Sequence, residues 1–320
     1  MKSSPSLHVL LERLIDYAGL FPPANLSLIK AIENYANYIN SNDSWMLGPF
    51  IIPVAKINEL PHYRELFLNK KALELSVVGR KSSDEEQCFV QFREDLKLIH
   101  HFSRENSDWS NVKVYEIPLP PIVPTNNLIK EASTGAKELG MKVYCELTML
   151  NGDNWLNNLS STLDVISEFN SRHKEKVGVK LRAGGIKAEM FPSTEKVASV
   201  IALCRDLNLP IKFTAGLHHP VRMYREEVKT KMHGFLNIFL SGMLAYHFNL
   251  NKKIIEEIIS DENIEHFMIK NDSLAWKHFC ITAQEMKELR NHSLCSFGSC
   301  SFDEPKDELL DLINRQEVFK

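Results

Sequence analysis

A (β/α)8 barrel is the fold that this sequence predicts, and three observations predict it. Short β-rich runs alternate with amphipathic helical stretches, the runs recur at intervals of roughly 25 to 40 residues, and 320 residues suit eight such units. Six runs are clear, at residues 48–54, 72–80, 112–120, 142–149, 177–185 and 210–217. Residues 233–239 and a segment ending at 293–302 are the candidates for the remaining two strands. An open, doubly wound sheet is the alternative built from the same alternation.

The helical stretches carry their own boundary signals. Residues 128–139 lie between Thr125 and Gly140, and Ser193 with Glu195 opens the stretch that follows. Hydroxyl side chains satisfy orphan N–H groups at helix starts, and glycine takes the left-handed turn at helix ends. Leucines near the N-terminus read as an amphipathic helical cap. Glu12, Arg13 and Asp16 interrupt the apolar stretch and no small-residue cleavage site follows, so a helix is expected here rather than a signal peptide. Residues 16–24, with Gly19 and the Pro22–Pro23 pair, read as part of that cap or as a lid offering Asp16 or Tyr17 to a substrate. Residues 249–292 fit the repeat poorly and are expected to form a helical insertion. No linker or internal repeat divides the chain, so residues 1–320 are read as one barrel domain.

Composition excludes several classes. With 44% hydrophobic residues, 25% charged residues and a net charge of −3, the chain lacks the basic stripe of a nucleic-acid binder. No apolar run reaches the ~20 residues of a transmembrane helix. Six scattered cysteines without a CxxC pair point to free thiols and a cytoplasmic setting. No dinucleotide or nucleotide loop motif occurs. The expected partner is therefore a small molecule, without nucleic acid or membrane.

Strand alternation then assigns side chains to the interior. In residues 177–185, Lys180 and Arg182 share a face opposite Val177, Val179 and Leu181; in residues 210–217, Lys212 and Thr214 oppose Ile211 and Phe213. The apolar faces must meet the helices, so the polar ones face the barrel axis. Glu146 shares a face with Tyr144 and Thr148, and Glu116, on a strand whose two faces are mixed, is placed inward by analogy with its neighbours. Each lies near the C-terminal end of its strand, where barrel active sites are built. Two carboxylates against three cations leave positive charge for an anionic substrate.

A lysine desolvated beside other cations loses its proton readily and becomes a nucleophile for carbonyl carbon. On that basis Lys212 is the expected Schiff-base nucleophile and Lys180 its tuning partner, with Glu116, Glu146, His218 and His219 as proton movers. Arg182 and Thr214 are expected to bind substrate. The segment 296–305 adds Ser296, Gly298 and Ser299 as a candidate phosphate cradle near the last strand. Cys300 has no base nearby in sequence. No cofactor is expected on this reading. The alternative chemistry uses a divalent ion held by Glu116, Glu146, His218 and His233 in an isomerase, hydrolase or lyase. A non-catalytic protein with a structural ion network is the third reading.

The strand ends "IKFTAG" and "VKLRAGG" resemble those of class I aldolase barrels of the deoxyribose-phosphate type, with the order of the two elements reversed. The resemblance implies a lyase in which one of Lys212 and Lys180 forms the Schiff base and the other tunes it. More widely, "LIDYAGLFPPA", "VKLRAGG", "TAGLHHP", "HGFLN" and "SFGSCSFDEP" resemble an uncharacterised family of bacterial and plant proteins along nearly the whole chain. That family implies no particular activity. The resulting expectation is a barrel enzyme acting on a small anionic oxygenated compound by proton abstraction or C–C cleavage. Replacing Lys212 with Met is expected to abolish turnover, measured on a panel of small oxo acids and sugar phosphates, with the fold intact.

Overall fold

Eight parallel strands close into a barrel in the computed structural model, which describes residues 4–68 and 70–318. The strands are β1 (Ile15–Tyr17), β2 (Leu47–Pro53), β3 (Leu73–Val78), β4 (Ser110–Pro118), β5 (Lys142–Glu146), β6 (Gly178–Arg182), β7 (Ile211–Thr214) and β8 (Leu294–Ser299). Each pairs with its neighbours in sequence, and β8 closes the ring on β1. The open-sheet alternative is thereby removed. Among the described residues, no helix is long and apolar enough to cross a membrane, and all six cysteines are free thiols.

Six of the strands follow the expected runs, and the segment at 293–302 supplies β8. The remaining strand is not residues 233–239. Those residues lead into the helix Phe235–Phe248, whose side chains are buried on nearly every side. A segment that is apolar all round has no period to separate a buried helix from a buried strand. The eighth strand is instead β1, three residues long, inside the stretch expected to be a helical cap. The cap helix ends at Leu11, and Arg13 turns the chain with a positive φ of 50°. Ile15 and Tyr17 then face the outer core while Asp16 enters the barrel. Residues 18–24 follow β1 over the C-terminal mouth, and Ala18, Phe21 and Pro22 line a cavity there.

The insertion at 249–292 is mixed rather than helical. Between the helices Lys252–Ser260 and Ala283–His292 runs a three-stranded antiparallel sheet, Phe267–Ile269, Ser273–Trp276 and Phe279–Thr282. The N-terminal helix Pro5–Leu11 packs against Ala283–His292. Thr125 and Ser193 cap their helices as expected, each accepting a backbone N–H through its side chain.

β1 depends on close approach by β2. A Cβ added to Gly48 would lie 2.0 Å from Asp16 Oδ1, which is buried and fixed from the other side. Gly48→Ala should therefore destabilise the barrel by about 1–3 kcal/mol, the usual range for overpacking. Urea denaturation checks this, and an unchanged midpoint would show that β1 tolerates displacement.

Candidate active site

Six charged side chains form one chain of contacts across the interior. Lys212 Nζ lies 2.8 Å from Asp16 Oδ2 and 2.5 Å from Glu116 Oε1. The other oxygen of Glu116 meets Lys180 Nζ at 2.5 Å, and Lys180 reaches Glu146 at 2.6 Å. Arg182 approaches Glu146 at 3.8 Å. Ser76 donates to Glu116 and Ser296 donates to Asp16, each through its hydroxyl. The sheet register explains the order: Glu146 pairs with Lys180, Lys180 with Lys212, and Arg182 with Thr214. The structure thus brings together every interior ion pair candidate read from strand alternation, and adds Asp16.

Asp16 changes the charge balance. Three carboxylates now face three cations, so the network itself carries no positive surplus. It also changes the state of the lysines. Burial favours the neutral amine at Lys212, but Asp16 and Glu116 outweigh it and hold the ammonium form well above the usual lysine range. Lys180 is raised too, with burial opposed by Glu116 and Glu146. Glu116 is held far below the usual carboxylate range, because the two ammonium groups overcome its burial. Burial pushes Asp16 up, against the pull of Lys212. The expectation that neighbouring cations free Lys212 of its proton is corrected here: its nearest charged partners are carboxylates.

The network divides the interior into two sides. Above it, at the strands' C-terminal ends, lies a cavity of about 190 Å³ lined by Lys81, Glu146, Lys180, Arg182, Thr214, His218, Gly298 and Cys300, together with loop residues. Lys180 and Glu146 face this mouth. Lys212 instead borders a cavity on the N-terminal side with Asp16, Tyr144 and Ser296. Its role in the mouth is to position Glu116, which in turn holds Lys180. A structural network without an open cavity is therefore not what the barrel builds.

The loops after β6 and β7 meet over the mouth through glycine. Ala215 and Gly216 have φ values of 61° and 71°, in the left-handed region that favours glycine. A Cβ on Gly216 would fall 2.8 Å from Gly184 Cα, so the backbones of "RAGG" and "TAGL" pack directly on one another. This turn brings His218 back over the cavity. Its Nδ1 lies 2.7 Å from Glu304, and its Nε2 lies 3.8 Å from Cys300 Sγ. Burial opposes the charged imidazole, but Cys300 and Glu304 prevail and raise His218 to about 9. His219 turns to Glu308 at 2.7 Å and lines the adjoining cavity of about 450 Å³.

Other expected positions resolve differently. His233 accepts from Arg222 through Nδ1 and donates to the Pro192 carbonyl through Nε2, and burial with Arg222 lowers it to about 4. Both ring nitrogens are used, so it is no metal ligand. Both oxygens of Glu116 are held by lysines, which removes the expected metal set Glu116, Glu146, His218 and His233. Among the described residues, the nearest approach to a ligand set is His219, Glu304 and Glu308, and these carboxylates already bond the two imidazoles. Ser296 is occupied by Asp16, and Ser299 Oγ accepts from Ser301 N. Neither lines the mouth, and Asp303 and Glu304 occupy the following helix start, so no phosphate cradle forms there. Lys81, just beyond β3, and Glu304, on the final helix, join the site without a sequence signal of their own. The histidine beside Cys300 lies 82 residues away, so no local spacing reveals the pair.

The sequence matches no family model and no curated protein. Among solved structures, the chain is similar to human mitochondrial enolase superfamily member 1, with 13% identity over 95% of this chain and a TM-score of 0.43. It spans 58% of that protein's chain. It is also similar to a GH10 xylanase from Bispora sp. MEY-1, at 10% identity over 75% of this chain and 83% of that one, with a TM-score of 0.39. Malate synthase from Haloferax volcanii gives 10% identity over 100% and 81% of the two chains and a TM-score of 0.37. Likenesses this distant carry nothing about activity.

Two outcomes follow from the ion network. Lys212→Met strands two buried carboxylates and should cost about 3–5 kcal/mol of stability in denaturant unfolding, contrary to a fold left intact. An unchanged unfolding free energy would mean that the network is not closed as described. His218, raised from 6.5 to about 9 in the folded state, contributes stability that is complete below pH 6.5 and lost as pH rises through 9. Wild type should accordingly lose more melting temperature than His218→Gln between those pH values, and parallel profiles would count against the assignment.

Proposed function

We propose that the chain is a barrel enzyme of lyase or isomerase type, acting on a small anionic compound that bears a carbonyl group. The observation that carries this reading is the charge of the mouth cavity. Lys81, Lys180, Arg182 and His218 line it, with Glu146 as the one carboxylate in its wall, while Glu116 and Glu304 pair Lys180 and His218 from outside the wall. With Lys180 and His218 matched in this way, Lys81 and the half-exposed Arg182 are the cations that face whatever occupies the cavity.

Roles follow from position. Arg182, 44% exposed at its side chain, is free to fork onto a carboxylate or phosphate, with Lys81 as a second cation. The Lys180 ammonium, fixed between two carboxylates, faces the carbonyl oxygen and stabilises negative charge that develops on it. Glu146, between Lys180 and Arg182, moves the proton next to the carbonyl or at the carbon released by C–C cleavage. Lys212 holds Glu116 in place from below. A Schiff base needs a neutral amine, and both lysines are held protonated by carboxylates, so this reading assigns them electrostatic roles. No metal or organic cofactor enters these steps.

The test begins with binding. Small 2-oxo acids and sugar phosphates should include a compound that raises the melting temperature, by an amount equivalent to about 2.7 kcal/mol at a hundred times its Kd. Arg182→Met should abolish the rise. With that compound in D2O, NMR should show exchange at the carbon next to the carbonyl, lost in Glu146→Gln. Binding that is indifferent to Arg182 would overturn the anionic mouth.

A further inference from the structure

Cys300 occupies a position that proton transfer alone does not use. It follows β8, lines the mouth cavity, and also lines the adjoining cavity behind His218. Its thiol faces His218 Nε2 at 3.8 Å, while the opposite ring nitrogen is held 2.7 Å from Glu304. A nucleophile, a base and a carboxylate that orients the base thus stand in series, brought together from the exits of two adjacent strands and the final helix. The other cysteines differ. Cys88, Cys145 and Cys204 are buried, as Cys300 is, but burial pushes their thiols up, and Cys295 is half-buried on β8. Cys280 is exposed, on the insertion.

We propose that Cys300 is a catalytic nucleophile that adds to the carbonyl carbon of the bound anionic compound, with His218 as its base and Glu304 as the positioning residue. This deepens the function proposed above and rests on its anionic carbonyl substrate. In the step, the S–H bond breaks and the S–C bond forms. The carbonyl π pair moves onto oxygen beside Lys180, and the thiol proton, already held on His218 Nε2 when the sulfur attacks, passes to that oxygen. The product is a hemithioacetal, formed without oxidant, reductant or leaving group. The substrate class is therefore narrowed to small aldehydes and oxo acids carrying a carboxylate or phosphate. The adjoining cavity, with Ile186, Val228 and Met232 in its wall, leaves room for an apolar portion beyond the reacting carbon.

Alkylation of the full chain at pH 7, read by peptide mass spectrometry, tests the nucleophile. Iodoacetamide should label Cys300 faster than the exposed Cys280, and His218→Gln should slow Cys300 by about tenfold or more, because thiolate rather than thiol reacts. Labelling in order of exposure, or a Cys300 rate unchanged in His218→Gln, would overturn the assignment. Carbon-13 glyoxylate tests the covalent step. An adduct resonance should form with wild type and vanish in Cys300→Ser, and its absence from wild type would refute addition. Iodoacetate separates this proposal from the anionic mouth on which it rests. Relative to Cys280, it should favour Cys300 more than iodoacetamide does and lose that preference in Arg182→Met. Selective labelling by iodoacetamide with no preference for iodoacetate would sink the anion site and leave the nucleophile standing.

Discussion

The interior depends on a single carboxylate shared by two buried ammonium groups. Glu116 gives one oxygen to Lys212 and the other to Lys180, and Ser76 completes its hydrogen bonding. An unpaired ion at this depth would cost several kcal/mol, so each member requires the next. Asp16 is needed because Lys212 has a second side to satisfy, and Glu146 is needed because Lys180 does. A short strand such as β1 earns its place in the barrel by supplying one of these charges. The lysines are consequently fixed in both position and protonation state.

This constraint separates the two ends of the barrel. A balanced layer in the middle separates the N-terminal cavity beside Lys212 and Asp16 from the mouth, and presents Lys180 and Glu146 upward. Arg182 ends β6 at this mouth, and the loops beyond the strands add Lys81, His218 and Cys300 to it. Glycine at 184 and 216 lets two of those loops touch backbone to backbone, which a side chain at either position would prevent. The "RAGG" and "TAGL" strand ends, similar to those of aldolase barrels, therefore have a geometric reason independent of Schiff-base chemistry.

Much of the architecture could be read from periodicity. Six strands, the caps at Thr125 and Ser193, and the inward faces of β5, β6 and β7 follow from alternation between apolar and polar side chains. Two elements could not be read in that way. β1 is too short to show a period of two, and the leucines before it continue a helical spacing. The helix Phe235–Phe248 is apolar on all sides, so its period is invisible. β1 matters to the charge balance: Asp16, which it carries, is the third carboxylate that matches the three cations.

By itself, the sequence determined which side chains of β5, β6 and β7 enter the barrel, because neighbours along a strand must face opposite sides. It also determined that cations and carboxylates would share that interior. Only the tertiary structure decided which of them touch. Asp16 and Lys212 are 196 residues apart, and Cys300 and His218 are 82 apart, yet ring closure sets them beside one another. Charge state followed from that choice of neighbours: a lysine between cations releases its proton, whereas a lysine between carboxylates keeps it.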